Sequence, residues 1–262
     1  MEVIVRPTVD QAVALVSKLI AERISAKPHT VLGLATGRTM EKVYANLVAG
    51  GVSFANCRTF NLDEYIGLKP SDPNSYRSYM NAHLFDHVDI DLSNTHIPDG
   101  CAIDLKKAAQ TYEQSIVEAG GIDLQLVGIG EDGHIGFNEP LSSLVSRTRD
   151  KLLTPETRAQ NAGMFGGDLR NVPKRALTMG VGTILDTREL VLLATGAAKA
   201  SVVAKAVEGP VTSMISASAI QLHPNCKVIL DEEAATELQG REYYDFVFQN
   251  EPEWEKLLEP TG

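Results

Sequence analysis

The sequence predicts an α/β protein with a doubly wound, mostly parallel, Rossmann-like sheet that carries helices on both faces. Five short apolar segments, each ending in turn residues, recur at 31–36, 57–62, 124–129, 190–195 and 226–230. Nearly continuous apolar runs of this length are typical of parallel strands that are buried on both faces. Helical patterns lie between these segments, and strands that alternate with helices form βαβ units.

The helices are predicted from apolar residues that recur every three or four positions. Segment 9–19 shows this spacing, and 105–117 and 197–207 have similar apolar faces. Segment 141–175 differs, because it is polar and rich in Ser, Arg and Gly, and we expect a loop-like lid or insertion there. No Gly/Ser-rich or Pro-rich linker divides the chain, so a single domain over 1–262 is expected.

Composition restricts the classes of function. The formal net charge is −10 at pH 7, which argues against nucleic-acid binding through bulk electrostatics. No run of 18 apolar residues predicts a membrane span, and the first 20 residues carry too many charges for a signal peptide. The three cysteines lack paired spacing, which favours a reducing compartment. We therefore expect a cytoplasmic protein with no nucleic-acid or membrane partner.

Four polar motifs follow predicted strands at the edge where ligands bind in open α/β sheets. They lie at 36–39, 63–65, 131–139 and 195–199. Any one of them, taken alone, is as well explained by a plain turn. Because all four follow strands at the same edge, the sequence predicts one ligand site built from them together.

The first motif, Thr36-Gly37-Arg38-Thr39, suits a small phosphate ester. The glycine permits close approach, the two hydroxyls can donate hydrogen bonds, and a following helix N-terminus favours an anion. Arg38 could clamp the phosphate with two hydrogen bonds. The spacing is not that of a Walker loop, and no GxGxxG motif is present, so a nucleotide is less favoured. Lys199 could reach the same phosphate, although a solvated helix lysine is the alternative.

The next two motifs concentrate acid–base groups. Asp63 and Glu64 are adjacent at a strand end, so one carboxylate can face the site while the other turns inward. A carboxylate in a partly dry pocket has a raised pKa and can act as a general base. In the second motif, Asp132 and Glu139 can flank His134, which would then move a proton on and off an oxygen.

Other readings of these residues are weaker. A metal site is not expected, because the sequence has no HExxH motif and no second clustered histidine. A hydrogen-bonded loop histidine without catalytic role is the plain alternative, and nucleophilic catalysis lacks a GxSxG motif. Carboxylate bases, a histidine and an anion cradle suggest proton transfer on a phosphorylated sugar, which needs no metal or organic cofactor.

At these residues the sequence resembles the glucosamine-6-phosphate deaminase (isomerase) family. The resemblance covers nearly the whole chain and includes LATGRT at 34–39, FNLDEYIGL at 60–68, DPNSYRSYM at 72–80, LVGIGEDGHIGFNEP at 126–140, SRTR at 146–149 and VPKRALTMGVGTIL at 172–185. The related 6-phosphogluconolactonases share the fold and a DGH turn. Asn138-Glu139-Pro140 favours the deaminases.

The resemblance implies that the chain converts glucosamine 6-phosphate and water to fructose 6-phosphate and ammonium, in amino-sugar catabolism. It implies that Asp63 moves a proton from C2 to C1 and that His134 assists ring opening at O5. Asp132 and Glu139 would orient His134. The 36–39 loop and Lys199 would hold the 6-phosphate.

The chain departs from the family at the phosphate. The family's first loop usually reads TGGTP or TGSTP, whereas Arg38 and Met40 occur here, and Gly163 stands where the family has a phosphate-binding arginine. Our hypothesis is that Arg38 replaces that missing arginine. The alternatives are that Arg158 or Arg170 swings in, or that Arg38 meets solvent alone.

Some members of the family are hexamers activated by N-acetylglucosamine 6-phosphate between subunits. Ser142, Arg149 and Lys151 match positions used there, and Tyr244 lies near the place of a tail tyrosine. A possible allosteric site and a homo-oligomer, up to a hexamer, are therefore expected, with a solvated lid surface as the alternative.

Three alternative functions stay open on the sequence alone. The chain could deaminate galactosamine 6-phosphate, because the pocket around the 4-hydroxyl is not readable from sequence. It could be a 6-phosphogluconolactonase, a reaction that needs no C2 base. It could also bind a sugar phosphate as a sensor without turnover, although a binder has no need for Asp63, Asp132, His134 and Glu139 together.

Overall fold

The computed structural model describes residues 1–258, and a seven-stranded parallel sheet forms its centre. Within these residues the strands are β1 (Glu2–Arg6), β2 (Val31–Leu34), β3 (Arg58–Asn61), β4 (Asp63–Tyr65), β5 (Thr95–His96), β6 (Leu124–Val127), β7 (Arg149–Leu152), β8 (Arg175–Thr178), β9 (Leu190–Ala194) and β10 (Cys226–Asp231). The central sheet has the order β1-β10-β9-β6-β2-β3-β5, and all of its pairs are parallel. The predicted doubly wound, mostly parallel sheet is confirmed.

Helices surround this sheet. Those of the described residues are α1 (Val9–Ala26), α2 (Arg38–Ala49), α3 (Tyr76–His83), α4 (Leu105–Glu118), α5 (Pro155–Asn161), α6 (Val181–Leu185), α7 (Ala200–Val207), α8 (Arg241–Asn250) and α9 (Pro252–Leu258). Helix α1 begins after Thr8, whose hydroxyl oxygen accepts a hydrogen bond from the Gln11 N–H at 3.2 Å and so satisfies a donor of the first turn. No helix of residues 1–258 is both long and apolar enough to cross a membrane.

The order of the strands places a crevice near the middle of the sheet. From β2 the chain runs outward through β3 to β5, then returns to β6 on the other side of β2 and continues to β9 and β10. The direction of winding therefore reverses between β2 and β6. Connections leave the carboxyl ends of these two strands toward opposite sides, and this opens the crevice in which ligands of such sheets bind.

A second, three-stranded antiparallel sheet lies over this crevice. Its order is β4-β8-β7, and Thr178 pairs with both Asp63 and Arg149. The expectation that 141–175 is loop-like is therefore wrong in part, because this segment contains β7 and α5. Strand β7 is polar and partly exposed, so it is held by backbone pairing with β8 and has no apolar alternation that the sequence could display.

Two apolar clusters hold these layers together. The larger one surrounds the central sheet, and β9 and β10 are buried along their whole length, as the continuous apolar sequence of β9 and the largely apolar sequence of β10 predict. The smaller cluster lies beneath segment 141–175 and consists of Tyr65, Tyr76, Phe137, Leu153, Phe165, Val172 and Ala176. The segment thus rests on aromatic side chains from the crevice wall.

Candidate active site

A cavity of about 670 Å³ opens at the carboxyl ends of β2, β6 and β9. The whole 36–39 loop, Asp63, His134 and Lys199 line this cavity, so the structure brings together residues from all four motifs. Asp132 and Glu139 do not line the cavity and lie against the histidine instead. A second cavity of about 570 Å³ beside α4 contains none of the predicted site residues.

Asp63 and Glu64 point to different environments. Asp63 lines the cavity and is nearly buried, with 6% of its surface exposed. Burial and the neighbouring charge of Glu64 raise the pKa of Asp63 to about 8, although a hydrogen bond from the Phe137 N–H opposes the rise. Glu64 turns to the start of α3, where it accepts the N–H groups of Tyr76 and Arg77 at 3.0 and 3.1 Å. Asp63 is therefore the carboxylate that is suited to act as a base.

His134 lies between two carboxylates. Its Nδ1 is 2.5 Å from Asp132 Oδ1 and 3.8 Å from Glu139 Oε2. The turn before it requires Gly133, which has φ of +88° and whose Cβ, if present, would lie 2.7 Å from Ile215. Because Asp132 holds Nδ1, the other ring nitrogen, Nε2, is the one available to a ligand in the cavity.

The pKa values of the two carboxyl groups around His134 are shifted in opposite directions. Burial alone would raise the pKa of Asp132, but its hydrogen bonding and attraction to His134 lower that pKa to about 2. Burial raises the pKa of Glu139, against hydrogen bonds from Thr154 and Thr157. Asp132 is therefore ionised at neutral pH. Two carboxyl groups whose pKa values are pushed apart are typical of acid–base sites.

Glu139 connects the histidine to the segment over the cavity. Its carboxylate accepts the Thr154 N–H at 3.0 Å and the Thr157 hydroxyl at 3.1 Å. Thr154 is also the residue that caps α5, accepting the Thr157 N–H at 3.1 Å. A shift of α5 would therefore move the Glu139 carboxylate, which lies beside His134.

The two strand-to-helix turns at the cavity are not equivalent. Gly37 has φ of +123° and precedes α2, which begins at Arg38. Gly196 has φ of +87°, but its N–H is already donated to Asp231 at 2.9 Å. The second turn therefore contributes Lys199, whose pKa is lowered by burial against the attraction of nearby carboxylates. The first turn is the one with a free helix N-terminus.

The arginines near the predicted phosphate site have different partners. Arg38 is exposed and makes no hydrogen bond or ion pair with another residue of 1–258. Arg158 donates to the carbonyl oxygens of Leu169 and Val172, and Arg170 pairs with its neighbour Asp168. Both of these arginines are thus engaged away from the cavity, which favours Arg38 over Arg158 and Arg170. Gly163 lines the cavity, and a Cβ added there would meet no atom within 4 Å.

The four residues predicted for an allosteric site do not lie together in one chain. Ser142 donates to a carbonyl oxygen of the 131–139 motif at 2.6 Å, and Arg149 donates to an amide oxygen of the same motif at 2.9 Å. Lys151 lies two residues further along β7, and burial lowers its pKa. Tyr244 lies in α8 and donates to Glu208 at 2.9 Å. Two of the four, Ser142 and Arg149, therefore contact the acid–base motif.

Sequence reasoning missed several residues that line the cavity. Tyr76 and Tyr79 reach it from α3, Phe137 reaches it from the loop after β6, and Asn161 reaches it from the end of α5. The Tyr79 hydroxyl donates to the Gly37 carbonyl at 2.8 Å and so supports the phosphate loop. The signal for the tyrosines was their spacing of three within 72–80, which places both on one helix face. Asn161 had no comparable signal.

A metal ion was not expected here, and that expectation stays a prediction. One donor atom each of Asp132, His134 and Glu139 lies within 4.8 Å of the others, so the trio could reach a common ion. Its donors are already engaged, because Asp132 lies against His134 and the Glu139 oxygens accept hydrogen bonds from Thr154 and Thr157. This pattern fits an oriented histidine.

Comparison with known proteins gives a consistent set of relatives. Residues 6–229 match the model of the family described as glucosamine-6-phosphate isomerases/6-phosphogluconolactonase. The chain is 45% identical to a glucosamine-6-phosphate deaminase of Streptomyces coelicolor, over 98% of this chain and 100% of the relative. It is 50% identical to one of Rhodopirellula baltica, over 92% of this chain and 97% of the relative.

Solved structures show the same relationship. A structure of a monomeric glucosamine-6-phosphate deaminase matches with a TM-score of 0.88 and 43% identity, over 90% of this chain and all of that one. The 6-phosphogluconolactonase of Trypanosoma brucei matches with a TM-score of 0.73 and 20% identity, over 90% of this chain and 98% of that one. At that identity the second likeness concerns the fold.

Proposed function

Because the chain belongs to the family of glucosamine-6-phosphate isomerases and 6-phosphogluconolactonases, we propose that it converts glucosamine 6-phosphate and water to fructose 6-phosphate and ammonium. The observation that carries the proposal is a nearly buried carboxylate of raised pKa, Asp63, that shares one cavity with the carboxylate-held His134. The curated relatives named above are glucosamine-6-phosphate deaminases. The proposed setting is amino-sugar catabolism in the cytoplasm.

In this proposal Asp63 takes the proton from C2 of the opened sugar and returns it to C1. A base that must both accept and return a proton works best when its pKa is near the working pH. Burial and the charge of Glu64 give Asp63 a pKa of about 8, so both protonation states are accessible near neutral pH. This leaves an imine at C2, because the amine of the substrate is on that carbon. Water adds to the imine, and its hydrolysis gives the C2 ketone and releases ammonium.

His134 performs the earlier ring opening in this proposal. The ionised Asp132 holds Nδ1, so Nε2 is free to deliver a proton to the ring oxygen O5. Glu139 braces this arrangement and ties it to α5 through Thr154. The acid–base group is thereby assembled from the 131–139 motif and from the segment that covers the cavity.

The 6-phosphate would lie at the start of α2. Thr36 and Thr39 offer hydroxyls there, and Lys199 and Arg38 offer positive charge across the cavity. We propose that Arg38 supplies the guanidinium that Gly163 cannot. Arg38 has no partner among residues 1–258, whereas Arg158 and Arg170 are engaged elsewhere, and this difference supports the choice.

Lactone hydrolysis is less well supported. The lactonase structures from trypanosomatids and Thermotoga share the fold with this chain at 20% sequence identity. A lactonase has no use for a buried base above C2, whereas Asp63 occupies that position in our proposal. A sensor without turnover would not need two carboxyl groups around His134 whose pKa values are shifted in opposite directions.

Ammonium release by the purified protein tests the proposal. Glucosamine 6-phosphate is the expected substrate, and galactosamine 6-phosphate, 6-phosphogluconolactone and unphosphorylated glucosamine are the comparisons. We expect release from the first, and much slower release from glucosamine because the phosphate contacts are lost. Lactone hydrolysis without ammonium release from either amino-sugar phosphate would overturn the proposal.

We also propose regulation at Ser142, Arg149 and Lys151, with Tyr244 joining them from another subunit. Two of these residues contact the acid–base motif, which gives an effector there a route to His134. The similar solved deaminase is described as monomeric. Sedimentation, and rate curves with and without N-acetylglucosamine 6-phosphate, test this; a monomer whose hyperbolic rates ignore that ligand would contradict it.

A further inference from the structure

A line of four polar side chains runs along the wall of the cavity from the phosphate loop to α5. At its centre the Tyr76 hydroxyl donates to the Tyr65 hydroxyl at 3.4 Å. Thr36 lies beside Tyr76 at one end and Asn161 lies beside Tyr65 at the other. Both Thr36 and Asn161 line the cavity, and each lowers the pKa of the neighbouring phenol. The line therefore joins the loop after β2, the segment that carries Asp63, and the end of α5.

The two tyrosines in this line are shielded from water. Tyr65 is fully buried and Tyr76 is 6% exposed. Their rings pack against Phe137, and Tyr65 also packs edge-on against Phe165. Aromatic neighbours leave the hydroxyls few partners besides each other and the two ends of the line. Buried hydroxyls need such partners, so the bond between the two tyrosines is maintained by the cost of leaving either hydroxyl unpaired.

The direction of hydrogen bonding along the line can reverse. Each hydroxyl both donates and accepts, and an amide NH₂ group donates. In the present direction Tyr76 donates toward Tyr65, away from the phosphate loop. A phosphate beside Thr36 only accepts hydrogen bonds, so the Thr36 hydroxyl must donate to it. If Asn161 donates to Tyr65, Tyr65 to Tyr76 and Tyr76 to Thr36, then Thr36 is free to donate to the anion, and each bond polarises the next.

We propose that these four side chains form a hydrogen-bond relay that makes Thr36 a donor to the substrate phosphate and fixes Asn161, and hence the end of α5, when the phosphate binds. Tyr65 and Tyr76 are positioning residues in this scheme, since they act through Thr36. The inference rests on the proposed phosphate site at the 36–39 loop, and it adds a link from that site to the cover of the cavity.

The relay predicts a defect in binding. Tyr65→Phe and Tyr76→Phe should each raise KM for glucosamine 6-phosphate roughly two- to tenfold, the effect of one lost hydrogen bond, while kcat changes little. Inhibition by inorganic phosphate should weaken by the same factor. The double variant should be no worse than either single variant, because one break already interrupts the line. Asn161→Ala, at the accessible end of the line, should show the same defect without a risk to folding.

Tyr112→Phe is the matched control. It removes another buried phenol hydroxyl, which donates to the Asn61 carbonyl at 2.6 Å and lies outside the relay. It should lower the melting temperature as the other variants do but leave KM and phosphate inhibition unchanged. If Tyr65→Phe and Tyr76→Phe likewise lower the melting temperature but leave KM and phosphate inhibition unchanged, the tyrosines are structural and the relay is wrong.

Thr36→Val separates the relay from the phosphate site on which it rests. If Thr36→Val leaves KM and phosphate inhibition unchanged, the proposed phosphate site is wrong, and the relay is wrong with it. If Thr36→Val weakens both while Tyr65→Phe, Tyr76→Phe and Asn161→Ala do not, the phosphate site stands and the relay alone is overturned. Parallel weakening in all four variants supports the relay.

Discussion

Asp63 and Glu64 are adjacent in the chain, yet Asp63 lines the cavity and Glu64 holds the first turn of α3. The Glu64 carboxylate accepts the N–H groups of Tyr65, Tyr76 and Arg77 at 2.8, 3.0 and 3.1 Å. Its charge nevertheless acts on Asp63 and, after burial, is the second cause of the raised pKa there. Glu64, which stabilises the start of α3, thus also raises the pKa of the proposed base, Asp63.

Replacing Glu64 should shift the pH dependence of catalysis. In Glu64→Gln the pKa of Asp63 loses one of its two raising causes, so the rising limb of kcat/KM against pH should move to lower pH. Glu113→Gln is the control. It removes the charge of another carboxylate, which accepts hydrogen bonds from Thr148 and Thr183. Glu113 is not among the groups that shift the pKa of Asp63, so this variant should leave the limb in place. An unmoved limb would show that Glu64 does not tune the base.

The raised pKa of Asp63 also predicts how stability depends on pH. The unfolded chain releases this proton near pH 4, and the folded protein releases it near pH 8. Between these values the folded state binds more protons, so this residue makes the free energy of unfolding fall as pH rises, by up to about 1.4 kcal/mol per pH unit.

Asp63→Asn should remove that contribution. Urea denaturation at several pH values between about 5 and 8 should therefore show a flatter profile for the variant, with its largest gain over the wild-type protein at the alkaline end. A parallel pair of profiles would contradict a raised pKa at Asp63.

Asp132→Asn should impair the chemical step. The ionised carboxylate holds a proton on Nδ1 of His134, whereas an amide can present its NH₂ group and favour the other tautomer. We expect kcat to fall roughly 10²- to 10⁴-fold, the usual scale of acid–base catalysis. Glu131→Gln removes a neighbouring charge that does not contact His134 and should have a much smaller effect. Equal losses in the two variants would indicate a general electrostatic effect.

Arg38 and Gly163 permit a test by relocation. Arg38→Ala should raise KM roughly 10- to 150-fold, as expected when one charge-assisted contact is lost, with kcat little changed. The added change Gly163→Arg should restore much of the affinity, because the space beside Gly163 is open and the position lines the cavity. If Arg38→Ala leaves KM unchanged, Arg38 meets solvent alone and the hypothesis fails.

The central sheet was predictable because its strands are buried on both faces. β9 has a continuous apolar sequence and β10 a largely apolar one, and such runs between helical patterns specify a parallel sheet. The common edge of the sheet then allowed the four polar motifs to be placed in one cavity. These inferences needed residue types and order along the chain alone.

Other features depend on distant pairing. Strand β7 is polar, and its partner β8 lies more than twenty residues further along, so no local pattern identified the second sheet. The occupied N–H of Gly196 depends on Asp231 in another strand, which made two similar turns look equivalent. The contact between Tyr65 and Tyr76 likewise arises because α3 folds back on β4.

Asp63 can be tested as the base by ammonium release from glucosamine 6-phosphate, measured for Asp63→Asn beside the wild-type protein and Glu64→Gln. We expect Asp63→Asn to keep its fold and to lose activity by at least roughly 10²-fold, while Glu64→Gln retains most of it. A well-folded Asp63→Asn protein that releases ammonium at the wild-type rate would show that the buried carboxylate of the cavity is not the base.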